Sequence, residues 1–424
     1  MPKSATSPQF VVAQLGARRH YAIPRMLNDA GMLSRFHTDI CATKGWPRLL
    51  NAVPPSMRPA RLRSVMGRIP SGVPSHLIET HGRFGLDYAR RLTRARGQKE
   101  IAEVYLWAGN AFASQVATQG FAGASGVYTF NNGGLEILRT AGAEGLRTVM
   151  EQTIAPRRIQ TDILEAERER HPDWAEASVV SAADDALIAR EEEEWQAAGT
   201  ILCGSAFVRD SIARAGGPAE RCVVVPYGID SGYAMPCDST GHESRPHDGP
   251  LRVLSVGTVG LRKGAPYVAE AAERLAGRAA FRMVGAVSVP PAAQRRLSAV
   301  LELTGPVPRS EVARHFAWAD VFLLPSLCEG SAGVTYEALS AGLPVICTHN
   351  TGSVVRHGSD GYIVGLRDVD AIAGHLDRLA SDPDLLAQMS AAAAARRGDI
   401  DLDAYRQRLL AALAVAPGTE RLTA

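Results

Sequence analysis

Two glutamates eight positions apart, Glu329 and Glu337, bracket the run Gly330-Ser331-Ala332-Gly333 in the stretch PSLCEGSAGVTYEALSAGLPVICT. The preceding DVFLLPS (320 to 326) reads as a buried strand that emerges at Pro325-Ser326, and a helix is expected to begin near Gly333 and run through VTYEALSAG. On that reading Glu329 lies in the loop and Glu337 about one helical turn in. The free N–H groups of Ser331, Ala332, Gly333 and Val334 then point between the two acids. A helix start carries roughly +0.5 charge and suits a phosphate, while carboxylates beside it accept hydrogen bonds from sugar hydroxyls. Recognition of a sugar nucleotide uses both: amides for the diphosphate, one acid for the ribose and one for the donor sugar. For this window alone, a solvated loop acid and an acid that favours the helix dipole account for the pair equally well.

The elements that must position these groups are legible as short apolar runs alternating with longer amphipathic segments, the pattern of parallel strands joined by helices. One series comprises FVVAQLG (10 to 16), GVYTF (126 to 130), RTVME (147 to 151), GTILCG (199 to 204) and RCVVVPYG (221 to 228). A second comprises LRVLSVG (251 to 257), AFRMVG (280 to 285), LELTGPV (301 to 307), DVFLLPS and LPVICT (343 to 348). Between them, residues 231 to 250 are rich in Gly, Pro, Ser and His without an apolar period and read as a linker. The expected fold class is therefore α/β, with two Rossmann-like domains facing each other across a cleft. The first is residues 1–230 and the second 251–398, and residues 399–424 carry a last helix that packs back on the first domain. Ligands of such sheets bind beyond the carboxyl ends of the strands. The segment VGTVGLRKG lacks G-x-G-x-x-G, which argues against a dinucleotide cofactor.

Composition sets outer limits. The chain has 424 residues, is 46% hydrophobic and 21% charged, and carries a formal net charge of +2, which gives no reason to expect nucleic acid as a partner. Residues 44 to 100 hold twelve Lys or Arg against three acids, whereas 162 to 194 hold twelve acids against three Arg. Arg90, Arg91 and Arg94 fall near one helical face. They would suit anionic lipid headgroups or a phosphorylated acceptor, and a solvated face is the plainer reading. Six cysteines without a C-x-x-C pair argue against a zinc ribbon or disulfide framework. The N-terminus lacks the basic start and apolar stretch of a signal peptide, and no run approaches the ~18 apolar residues of a membrane span. The expected location is cytoplasmic, with peripheral contact at the inner face of the membrane as the variant the basic block allows.

Taken with its neighbours, the glutamate window resembles the retaining glycosyltransferases of family 4, the glycosyl transferases group 1, built on the GT-B fold. Their E-x7-E motif is present as Glu329 and Glu337 followed by SAGLPVI, and VGTVGLRKG matches their phosphate-binding V-G-x5-K-G. GPVPRSEVARHFAWADVFLLPS, VVVPYGID and NTGSVVRHGSDGYIV match flanking segments, so the resemblance is strong from about residue 200 to 400. It implies a donor site in which Glu337 meets the ribose, Glu329 the donor sugar and Lys263 the diphosphate. Many relatives have Arg directly after the V-G, where this chain has Thr258. Arg262 offers a replacement charge by another route, and a surface ion pair is the plainer account of it.

The resemblance also implies that a Gly-rich first loop approaches the diphosphate and that the first domain binds the acceptor. In QLGARRHYAIP only Gly16 matches, and Arg18, Arg19 and His20 replace small residues. Either arginine would bind a phosphate in bidentate fashion, and His20 would orient the attacking hydroxyl; a solvated basic turn is the alternative. Asn131, after GVYTF, stands nearest to the histidine that family members often carry near the donor sugar; Glu151 and Arg157 are further candidates for the cleft. No D-x-D sits at a strand end, so neither a metal nor a cofactor is expected. The expected partners are a UDP- or GDP-sugar donor and a sugar or lipid-linked acceptor. The competing readings are an inverting transferase or epimerase of two Rossmann-like domains, and a scaffold protein without turnover.

Overall fold

The computed structural model describes residues 7–48, 65–121, 123–174, 181–230 and 249–414. Most of the expected linker and part of the basic block lie outside them. Two wholly parallel sheets organise the described chain. The first contains β1 (Phe10–Gln14), β2 (Leu33–Thr38), β3 (Ile78–Thr80), β4 (Gly126–Phe130), β5 (Arg147–Gln152), β6 (Thr200–Cys203) and β7 (Cys222–Val224), in the order β3-β2-β1-β4-β5-β6-β7. The second contains β8 (Leu251–Val256), β9 (Ala279–Val284), β10 (Glu302–Gly305), β11 (Val321–Leu324), β12 (Val345–Thr348) and β13 (Gly361–Val364), in the order β10-β9-β8-β11-β12-β13. Crossover helices cover both faces of such sheets, which is why β1, β4, β6, β11 and β12 are buried along their whole length.

Strand order reverses direction between β1 and β4 and between β8 and β11, where Val11 is in register with Val127 and Val253 with Val321. At these two points consecutive helices leave to opposite faces and open a crevice at the carboxyl edge. Every strand read from an apolar run is present. β2, β3 and β13 escape such a reading because LSRFHT breaks its apolar run with Arg35 and His37, IET is polar at two of its three positions, and GYIV follows the polar RHGSD.

Two features couple the halves. Residues 400–414 leave the second half and lie against the end of the first. Ile229 N–H donates to the Ile400 carbonyl at 2.9 Å, Arg408 donates to the carbonyls of Pro226 and Tyr227, both at 3.2 Å, and the rings of Tyr227 and Tyr405 meet edge-on. The helix Arg157–Arg170, which follows β5, crosses the other way. Its fully buried Glu167 accepts Arg367 Nε at 2.7 Å and the Tyr267 hydroxyl, and Trp174 beyond it enters the core of the second half. A buried carboxylate is tolerated only when paired and hydrogen-bonded in this way.

Candidate active site

The site grows from loops at the carboxyl ends of β8 and β11. After β8, Gly257 takes φ +133° and the short turn Leu261–Lys263 ends on Gly264 at φ +74°, where a Cβ would overlap the Pro325 carbonyl. Only glycine combines that backbone with that approach. The two loops are thereby pressed together, with Leu327 N–H donating to the Arg262 carbonyl at 2.9 Å.

The consequence is a compact charge cluster. Arg262 Nη1 lies 2.6 Å and Lys263 Nζ 2.8 Å from the same oxygen, Oε1, of Glu329, and Ser326 Oγ reaches it at 3.4 Å. Arg262 also donates to the Cys328 carbonyl at 3.1 Å. Two cations against one carboxylate leave the cluster with an excess positive charge that suits an incoming anion. Burial, reinforced by Glu329, pushes the neighbouring Cys328 thiol up to about 12, so that sulfur is no nucleophile at neutral pH. A cavity of about 590 Å³ opens beside the cluster. Thr258, Lys263 and Ser288 line it from the second half, and Gln98, Arg168 and Trp174 from the first.

The loop between the glutamates differs in part from the expected row of open amides. Ala332 N–H is donated to the Thr351 carbonyl at 3.2 Å, so it is not available to a phosphate. Gly330 is pressed on the first half: a Cβ there would overlap the Thr153 carbonyl, and its own carbonyl accepts the Ser205 hydroxyl. Ser331 packs on Gly204 and hydrogen-bonds the Tyr336 hydroxyl at 2.7 Å. The helix Gly333–Ser340 begins where expected, and space is open around Gly333, with Val334 next in the first turn. Glu337 lies in its second turn and accepts Arg309 Nη2 at 2.9 Å. Arg309 was not singled out from sequence, although it sits in the segment GPVPRSEV immediately after β10; the signal was a cation at a strand-to-helix junction.

On the first half, Gly16 has φ +72° and donates its N–H to Asp39 Oδ1 at 3.1 Å, while Gln14 Nε2 ties back the carbonyls of Gly16 and Arg18. Arg19, His20 and Tyr21 then have φ of 49°, 50° and 60°, a left-handed turn that side chains rarely adopt. The turn separates residues the sequence treated alike. Arg18 Nη1 donates to Thr153 Oγ1 at 3.0 Å, beside the Gly330 contact, and so lies at the cleft. Arg19 turns away. Its guanidinium stands 3.6 Å from the Tyr227 ring centre and 4.9 Å from that of Tyr405, and donates to the Gly228 carbonyl at 2.9 Å. It fastens the turn to the C-terminal helix rather than facing a phosphate. His20 is exposed.

Asn131 and Glu151 also find other partners. Asn131 is buried and spent on Glu191 and Thr153, so it does not present its amide to a sugar. Glu151 accepts the hydroxyls of Tyr128 and Tyr227 inside the first half, and Arg157 pairs with Asp184. On the basic helix Gly82–Arg94, Arg91 pairs with Asp87 and stands 4.1 Å from the Trp107 ring centre, and Arg90, Arg91 and Arg94 are all exposed. Among the described residues no helix is long and apolar enough to cross a membrane.

Two parallel sheets facing each other, with a charged cluster at the carboxyl edge of the second, define a GT-B protein. A crystal structure of Anabaena Alr3699/HepE in complex with UDP and glucose is similar in fold; the match has a TM-score of 0.57 over 96% of this chain and 100% of that one, at 14% identity. Residues 250–382 match the family described as Glycosyl transferases group 1. The D-inositol 3-phosphate glycosyltransferase of Xylanimonas cellulosilytica is 31% identical over 256 residues, 54% of this chain and 58% of its own length. The amylovoran biosynthesis glycosyltransferase AmsK of Erwinia amylovora is 30% identical over 181 residues, 39% of this chain and 43% of its own. The chain thus spans about half the length of the curated relatives it matches.

Proposed function

We propose that this chain is a retaining, metal-independent glycosyltransferase that moves a sugar from a UDP- or GDP-sugar to an acceptor hydroxyl in the synthesis of a polysaccharide, glycolipid or other glycoconjugate. The observation that carries the reading is the convergence of Arg262 and Lys263 on one oxygen of Glu329, facing the first half across the Gly330 contact. In this account residues 251–398 hold the donor and residues 1–230 the acceptor. One relative is named for a phosphorylated inositol and the other for amylovoran biosynthesis, which supports a sugar or sugar-phosphate acceptor.

Breaking the anomeric C–O bond builds positive charge on the sugar and negative charge on the departing diphosphate. Arg262 and Lys263 exchange Glu329 for the diphosphate and stabilise the leaving group, the task a metal performs elsewhere. Glu329, released from its two cations, turns to a hydroxyl of the donor sugar. Glu337, steadied by Arg309, receives the ribose hydroxyls. The acceptor oxygen attacks the anomeric carbon on the face the diphosphate leaves: the new C–O bond forms as the old one breaks, and the acceptor proton passes to a phosphate oxygen.

Nucleoside diphosphate release from UDP- and GDP-sugars, measured with and without candidate acceptors and with chelator present, tests the reading. The expected result is acceptor-dependent release that survives the chelator, with an α-linked product from an α-linked donor by proton NMR. Inversion at the anomeric carbon, or release abolished by chelation, would sink it.

A further inference from the structure

Beneath the cleft surface of the first half runs a chain of hydrogen bonds whose direction is fixed by the backbone N–H of Thr153. Glu191, 2% exposed on the helix Ala182–Ala197, accepts Asn131 Nδ2 at 3.2 Å and Gln152 Nε2 at 2.8 Å on one oxygen, and the Arg157 N–H at 2.8 Å on the other. Burial pushes the Glu191 carboxyl above its ordinary range, yet the sense of the chain does not depend on its charge, because the Thr153 N–H on the other side of Asn131 can only donate. Asn131 must therefore turn its NH₂ group to Glu191 and its carbonyl oxygen away, toward Thr153. That oxygen takes the Thr153 N–H at 3.3 Å and the Thr153 hydroxyl at 2.9 Å. The single hydroxyl proton of Thr153 is thereby committed, and Oγ1 can only accept from its other side. What it accepts is Arg18 Nη1, at 3.0 Å.

Arg18 needs such support because the left-handed turn that follows it, Arg19 to Tyr21, leaves it at the end of a strained loop. Thr153 also carries the carbonyl that abuts Gly330, so the relay ends where the two halves meet. One hydrogen of the Arg18 fork is used by Thr153, and the planar guanidinium has others for a second acceptor. Resting on the glycosyltransferase reading of the cleft, we propose that Glu191, Asn131 and Thr153 are positioning residues that aim Arg18 at a phosphate oxyanion bound there. The oxyanion is either the donor diphosphate or a phosphate carried by the acceptor. Asn131 thus serves the site through Thr153 and Arg18 rather than by touching a sugar.

The test uses Thr153→Val, which keeps the shape and removes the hydroxyl, and Thr153→Ser, which keeps the hydroxyl, each alone and combined with Arg18→Ala. Calorimetric Kd values for UDP and GDP read the donor source. Turnover with glucose 6-phosphate beside glucose as acceptor probes reads the other. Thr153→Val and Arg18→Ala should each weaken one of these, by roughly three- to thirtyfold, with Thr153→Ser near the parent. Thr153→Val should add nothing once Arg18 is alanine, whereas a merely structural threonine would still show its effect there. Weaker UDP or GDP binding assigns the oxyanion to the donor. An effect confined to the KM of glucose 6-phosphate assigns it to the acceptor. If neither moves, or if the two substitutions are additive, the relay is overturned. Lys263→Ala separates the two levels: loss of UDP and GDP binding there, with no change at Thr153 and Arg18, removes the relay and leaves the glycosyltransferase reading intact.

Discussion

Lys263→Ala is expected to lower kcat/KM for the sugar nucleotide by about 10²- to 10³-fold and to weaken the nucleoside diphosphate as well. The ammonium is largely shielded, with its side chain 12% exposed, and stands 2.8 Å from Glu329. A charge-assisted hydrogen bond in such a setting is worth roughly 1.5 to 3 kcal/mol. Charge on the diphosphate grows as the anomeric bond breaks, so removal of a preorganised cation costs more in the transition state than in the ground state. A second effect adds to it: with Lys263 gone, Arg262 is the one cation left on Glu329, and its transfer to the donor leaves the carboxylate without a cationic partner from this loop. Initial-rate kinetics and calorimetry on the same preparation check this; unchanged UDP and GDP affinity would remove Lys263 from the donor site.

Gly330→Ala is expected to cost about 10²-fold in kcat without unfolding either half. The added methyl would overlap the Thr153 carbonyl and crowd the Ile154 backbone, neither of which is the yielding end of a flexible side chain. Relief requires the Glu329 loop to back away from β5's end or the two halves to part. A misplacement of about 1 Å between reacting groups is enough for a loss of that size. Each half keeps its own hydrogen-bonded sheet, so the far-UV circular dichroism should be that of the parent. Parental kcat in this variant would mean that the close approach of the two loops is irrelevant to turnover.

The contrast between Arg18 and Arg19 shows where sequence reading stopped. Apolar runs located most of the buried strands, because burial on two faces imposes a composition, whereas the strand order and its two switch points came only with the structure. The glutamate pair was legible from its spacing around a small-residue loop, and Lys263 only through the resemblance that VGTVGLRKG carries. Arg18 and Arg19 are chemically identical neighbours, and only three successive left-handed residues send one to the cleft and the other between Tyr227 and Tyr405. No local pattern announces that turn, since none of Arg19, His20 and Tyr21 is the glycine such backbone favours. The exchange partners of Glu329 and Glu337 were hidden differently. Arg262 was weighed as a replacement cation, yet its shared oxygen with Lys263 depends on Gly264 packing against Pro325, a contact between segments about sixty residues apart. Asn131 followed a strand as a site residue would, but the buried Glu191 that claims it comes from a helix sixty residues on.

The central claim is that Glu329 holds the two cations in reserve and yields them to the donor. Calorimetric titration of UDP and GDP into the parent chain and into Glu329→Gln, with kcat measured in parallel, tests it most directly. The glutamine removes the competing charge from Arg262 and Lys263 while keeping the size of the side chain. The account predicts that Glu329→Gln binds the nucleoside diphosphate as tightly as the parent or more tightly, while kcat falls by about 10²-fold because the donor sugar loses its carboxylate partner. A variant that loses nucleotide affinity in step with Lys263→Ala, or one that turns over at the parental rate, would contradict it.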